Sequence, residues 1–287
     1  MTMPDVPSAP DADTPPPLPT PRFQPDPAFK PPRSDRYHPV TPWTPFWGLG
    51  AVLLIGLIVF GFIVLAGGLA IAIYPQALDT SKGALPKPRL DDPIVAYGFA
   101  GLMLGSQLLG VLATFLFASN RGARPAEVLA LRAPIGGSLT YAWAVPLFVV
   151  FGLGVGLCAQ WLWPQSNQAD TETMMQFTRS PAGWLVFIVA VVGAPLQEEL
   201  IFRGFLFSAL ARARWVGIIG AAIITSIGWA AIHGYSVPGD TTIFCLGLML
   251  SFILWRTGST RVTMACHGTY NAVAFALAAF AGGTGGS

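Results

Sequence analysis

"GAPLQEELIFRG", residues 193–204, sets two adjacent glutamates and an arginine inside strongly apolar sequence. "PAGWLVFIVAVVGAPLQ" (181–197) runs into it, and "GIIGAAIITSIGWAAIHG" (217–234) comes shortly after. Apolar runs of this length read as membrane helices, because about 20 residues of helix cross the ~30 Å hydrocarbon core. A helix made only to cross has no use for three charges. A carboxylate at bilayer depth costs at least ~2.5 kcal/mol on insertion scales, and such residues usually face the bundle interior and carry function.

The rest of the chain agrees with a membrane reading. Of 287 residues, 53% are hydrophobic and only 10% charged, against about 25% charged in a soluble domain. Apolar segments occur at roughly 46–74, 94–118, 138–162, 182–211, 215–235, 241–256 and 260–281. The expected fold is all-α: a polytopic transmembrane helix bundle of about seven spans. The fourth segment is over-long and the sixth is the shortest. Residues 1–43 differ in kind, because fifteen of the 26 prolines fall at or before Pro45. Such composition cannot build a packed core and predicts a disordered, proline-rich tail. The expected domains are therefore that tail and a transmembrane domain at 44–287, with its functional core at about 138–281.

Eleven Lys and Arg residues fall on the tail's side of the spans and four on the other, Arg203 being intramembrane. That bias predicts a multi-pass protein with a cytoplasmic N-terminus and an outside C-terminus. The net charge of +2 gives no reason to expect nucleic acid, and the bilayer itself is the expected surrounding partner. Cys158, Cys245 and Cys266 are odd in number and widely separated, which argues against a disulfide framework. Cys266, although beside His267, reads as a small core residue.

Of the fourteen acidic residues, twelve lie in the tail or loops; the others are Glu198 and Glu199. Glu199 and Arg203 are spaced i,i+4 and can pair on a helix, which leaves Glu198 without a partner in its motif. His233 and His267 lie within apolar spans, with Trp229 one turn before the first and Asn271 one turn after the second. Two glutamates, two histidines and an amide in the last part of the chain suggest one site. The family resemblance that these residues carry implies peptide hydrolysis, which needs an activated water and donors for the oxyanion. Glu198 suits the general base, and His233 a partner that shares the water or protonates the leaving amine. His267 and Asn271 lie on one helical face as oxyanion donors, and the Glu199–Arg203 pair orients Glu198. A metal-dependent version would use Glu198, His233 and His267 to bind a divalent ion such as Zn²⁺; the H-E-x-x-H zinc signature is not present.

At these residues the sequence resembles the CPBP family of intramembrane proteases, which includes type II CAAX prenyl proteases and bacteriocin-processing or immunity proteins. The family pattern is E-E-x-x-x-R, then F-x-x-x-H, then H-x-x-x-N. It is matched by Glu198-Glu199-LIF-Arg203, Trp229-AAI-His233 and His267-GTY-Asn271 in the same order. The one departure is Trp229 in place of Phe, which is expected to bear on packing more than chemistry. The resemblance implies an intramembrane endopeptidase acting on a membrane-associated or prenylated peptide, with the same division of labour. The family is described as metalloprotease in places and glutamate protease in others.

Two other classes use such residues. A Glu- and His-lined transporter predicts polar residues along several spans and an internal repeat, whereas the first three spans hold little beyond Gln107 and Gln160. A non-catalytic scaffold or immunity-type protein predicts erosion of a motif, and every polar motif position is intact. Spacing supplies a further expectation. Glu198 and His233 flank a turn symmetrically and should lie at equal depth, but straight helices would leave His267 offset by about 15 Å. Tilt, a broken helix or a shifted boundary must close that gap.

Overall fold

A computed structural model describes residues 37, 39–79, 87–164 and 168–283. Eight helices carry the fold: α1 (Pro45–Ile73), α2 (Pro93–Ser119), α3 (Leu139–Leu162), α4 (Gln168–Arg179), α5 (Gly183–Ala211), α6 (Gly217–Ala231), α7 (Val237–Thr257) and α8 (Thr260–Gly283). Strand among the described residues is limited to Leu78–Asp79 paired antiparallel with Lys87–Pro88. The protein is an integral, multi-pass helical bundle.

Each of the seven expected segments holds a helix. By length and apolar composition, five can cross a membrane: α1, α2, α3, α5 and α7. Two lengths differ from expectation. The segment expected at 241–256 is a full 21-residue helix that starts at Val237. The one expected at 215–235 is the short one, with 15 helical residues. Trp215, Val216 and Ile232 extend its apolar run, but Gly217 and Gly234 adopt positive φ at its two ends and stop regular winding there.

The interior is filled by large side chains from several helices, including Phe148, Phe207, Trp229, Leu246 and Leu250. The outer face is also apolar: Leu53, Leu57, Phe60 and Leu65 on α1 and Leu108, Leu112 and Leu116 on α2 are exposed. In lipid that face carries no burial penalty, and helical winding keeps most backbone hydrogen bonds internal. All three cysteines are free thiols, and Cys266 is buried as a core residue.

The expected tail boundary at residue 43 needs correction. Tyr37 is 1% exposed; its N–H donates to Trp255 O at 3.1 Å, and its ring packs edge-on against Phe207. Thr41 O accepts from Arg212 Nη1, and Trp43 packs against Phe117 and Phe205. Residues 37 and 39–43 are therefore part of the bundle, because three buried side chains offset the effect of the neighbouring prolines. The expectation for residues 1–36 and 38 lies outside the described residues.

Candidate active site

The site is organised by α5, which is not a regular α-helix. Val189–Gly193 and Glu199–Leu206 are wound as π-helix, a form that recurs at functional sites. In the first π turn Ala194 N–H bonds back five residues to Val189 O. The next donor in that pattern would be Pro195, which has no N–H. Ala190 O is thereby left without a backbone partner, and Asn271 Nδ2 on α8 donates to it at 2.8 Å. A buried carbonyl without a donor is costly in hydrocarbon, so the proline on α5 accounts for an amide on α8.

The depth offset expected for His267 does not occur. His267 Nδ1 lies 3.1 Å from Glu199 Oε1, and the same oxygen accepts from Arg203 Nη1 at 3.1 Å. Glu199 and Arg203 are both fully buried, so the expected i,i+4 pair forms across the second π turn. The structure adds the histidine as a second donor to that carboxylate.

Glu198 is only half-buried, and it finds the partner its own motif lacks. Trp229 Nε1 on α6 donates to Glu198 Oε2 at 2.5 Å. The face of the same indole lies 4.2 Å from the guanidinium carbon of Arg203, within cation–π range. His233 and His267 both pack edge-on against it. Trp229 thus touches four of the six motif residues. The expectation that its substitution for Phe bears on packing more than chemistry leaves out the indole N–H, which Phe lacks. The departure from the family pattern was visible in sequence; the direction of the N–H was not.

The two histidines share a feature of hydrogen bonding. His233 Nδ1 is 2.7 Å from Trp229 O, an acceptor, so Nδ1–H donates to it. His267 Nδ1–H likewise donates to the Glu199 carboxylate. In the neutral form each ring then keeps its Nε2 lone pair free. Glu198, His233 and His267, the metal ligands expected of a metal-dependent version, are not gathered into such a site. Among the described residues no three His, Cys, Asp or Glu side chains are placed to hold a metal ion.

Residues 180–273 match the family model described as type II CAAX prenyl endopeptidase, Rce1-like. The matched segment contains α5, α6, α7 and the first half of α8, and with them all six motif residues. No curated protein and no solved structure matches the chain. Over residues 180–273 the chain is therefore similar to the type II CAAX prenyl endopeptidases.

Proposed function

We propose that the protein cleaves a peptide bond in a membrane-associated or prenylated substrate, with Glu198 activating the water. The observation that carries this reading is the contrast between neighbours. Glu199 is sealed and shared by two donors, whereas Glu198 is half-buried and, among the described residues, held through one oxygen, Oε2. Its Oε1 has room to take a proton from water as that water attacks the scissile carbonyl. His233, with Nε2 free, holds the second hydrogen of the water or relays the proton. The oxyanion receives the second Nδ2 hydrogen of Asn271, the first being used on Ala190 O. His267 joins it through Nε2–H when the ring carries both protons. When the carbon–nitrogen bond breaks, the proton taken by Glu198 passes to the leaving amine, directly or through His233. The Glu199–Arg203 pair moves no proton and keeps the helix in register. The charge bias of the loops supports a cytoplasmic N-terminus and an outside C-terminus.

The test compares purified wild-type protein with Glu198→Gln on three peptides: a prenylated CAAX-type peptide, the same peptide without its prenyl group, and an unrelated transmembrane peptide. Cleavage that depends on Glu198 upholds the reading, and the preferred peptide names the substrate class. Undiminished cleavage by Glu198→Gln removes it.

A further inference from the structure

Gln107 lies on α2, remote in sequence from every motif residue. It is 9% exposed in the bundle, and its Nε2 donates to Val189 O at 3.2 Å. Its Oε1 lies against Gly193, where a β-carbon would collide with it. A second helix, α8, meets the same turn through Asn271 at Ala190 O and through Gly268, where a β-carbon would stand 2.6 Å from Val191 O. Three successive carbonyls of the π turn, 189, 190 and 191, are thus contacted from two helices. The close approach requires glycine at 193 and 268.

The turn sets the direction in which the remainder of α5 presents its side chains. One inserted residue rotates the rest of a helix by about 100° relative to an uninterrupted α-helix. Glu198 begins the next turn but one after Gly193. Reversion of Val189–Gly193 to α-helix would swing Glu198 off the Trp229 indole and Glu199 off His267. A side-chain amide inserted at the carbonyls opposes that reversion.

We propose that Gln107 is a positioning residue that, with Asn271, locks the π turn Val189–Gly193 and so fixes the direction of Glu198. Its effect on catalysis rests on the reading of Glu198 as base; its effect on geometry does not. The test uses Gln107→Met, which keeps length and volume and removes the donor, and Gly193→Ala, which forces the Gln107 side chain off the turn without altering it. Three quantities are measured in detergent-solubilised full-length protein: kcat and KM for peptide cleavage, the melting temperature, and the Trp229 indole N–H resonance, assigned by its loss in Trp229→Phe. Both variants should lower kcat about tenfold or more with KM within about twofold, and should move the Trp229 resonance away from its hydrogen-bonded position. In a double-mutant cycle, Gln107→Ala with Gly193→Ala should be no worse than the worse single variant, because the collision is gone. A Trp229 resonance unmoved in both Gln107→Met and Gly193→Ala overturns the proposal, even if the melting temperature falls. A moved resonance in a protein whose Glu198→Gln variant still cleaves leaves the clamp standing and removes the catalytic reading instead.

Discussion

The indole nitrogen of Trp229 stands 2.5 Å from Oε2 of Glu198, which ties the first motif to the second by a bond that phenylalanine cannot make. Hydrogen bonds to charged groups contribute about 1.5–3 kcal/mol. Trp229→Phe keeps a ring beneath Arg203 and against both histidines but frees the carboxylate to turn. We expect kcat to fall about tenfold and the melting temperature to fall by several degrees. Trp229→Ala should lower both, because emptying a buried indole site costs about 3–5 kcal/mol. Full activity in Trp229→Phe would return the residue to a packing role.

Outside the membrane-spanning segments, Asp92 predicts a pH dependence. It caps α2, accepting from Ile94 N at 2.8 Å and Val95 N at 3.4 Å, and Tyr74 Oη donates to its Oδ2 at 2.9 Å. The Tyr74 hydroxyl first, then the backbone N–H groups and Arg89, hold its carboxyl below the usual carboxylate range, against a smaller opposing effect of desolvation. A pKa lowered by folding contributes stability above the unfolded value and loses it as pH falls through the folded one. Wild type should therefore protect the first turn of α2 from hydrogen exchange better than Asp92→Ala at neutral pH. The difference should vanish on acidification below the carboxylate range. A difference that persists in acid would show that the capping charge is not its source.

Tyr37 tests the corrected tail boundary. Its ring is sealed against Phe207 and lies 5.9 Å from the Arg132 guanidinium. Tyr37→Ala should cost on the order of 3 kcal/mol, as for other large buried aromatic side chains, read as a lower melting temperature with KM unchanged. Removal of residues 1–43 should destabilise the protein at least as much, since it also takes Trp43 and the Thr41 carbonyl that Arg212 holds. An unchanged melting temperature in both would mean that residues 37 and 39–43 contribute nothing to the bundle's stability.

Much of this site was legible because hydrocarbon makes polar residues conspicuous. Glu198, Glu199, His233 and His267 stand out in apolar runs, and the i,i+4 spacing of Glu199 and Arg203 predicted the bond that forms. Two other features depend on tertiary contacts that spacing does not report. A one-residue insertion at Val189–Gly193 leaves the apolar pattern intact on every side, so the run looks like one over-long helix. Only Pro195, which removes a donor, hinted at it. Tyr37 sits among prolines that make its surroundings look unpackable, and its burial is decided by Phe207 and Trp255, far along the chain. The ends of α6 were overestimated for a related reason: positive φ at Gly217 and Gly234 is a property of the turns they make, while the apolar run continues past both.

The two glutamates offer the sharpest comparison, because adjacency makes their differences a matter of environment alone. Glu199 is fully buried between Arg203 and His267 at 3.1 Å each. Replacing it by Gln leaves the Arg203 cation buried without its counter-charge, a change that costs about 3–5 kcal/mol when one partner of a buried pair is lost. Arg203 Nε and Nη2 have no hydrogen-bond partner among the described residues that could take over; the Trp229 ring face and the charge of nearby Glu198 remain to it. Glu199→Gln should therefore lower the melting temperature or membrane yield together with activity, and Arg203→Ala should resemble it by stranding the carboxylate instead. Glu198 is half-buried and meets one donor. Glu198→Gln keeps an oxygen for Trp229 to donate to and should fold as wild type, yet it should lose cleavage because an amide does not accept the proton from water. Three variants, a melting curve for each and one cleavage assay decide the matter. Equal loss of stability at both glutamates would mean that Glu198 is structural. A stable, inactive Glu199→Gln beside an active Glu198→Gln would take the base away from Glu198 and give it to His267, whose Nε2 lone pair is oriented by Glu199.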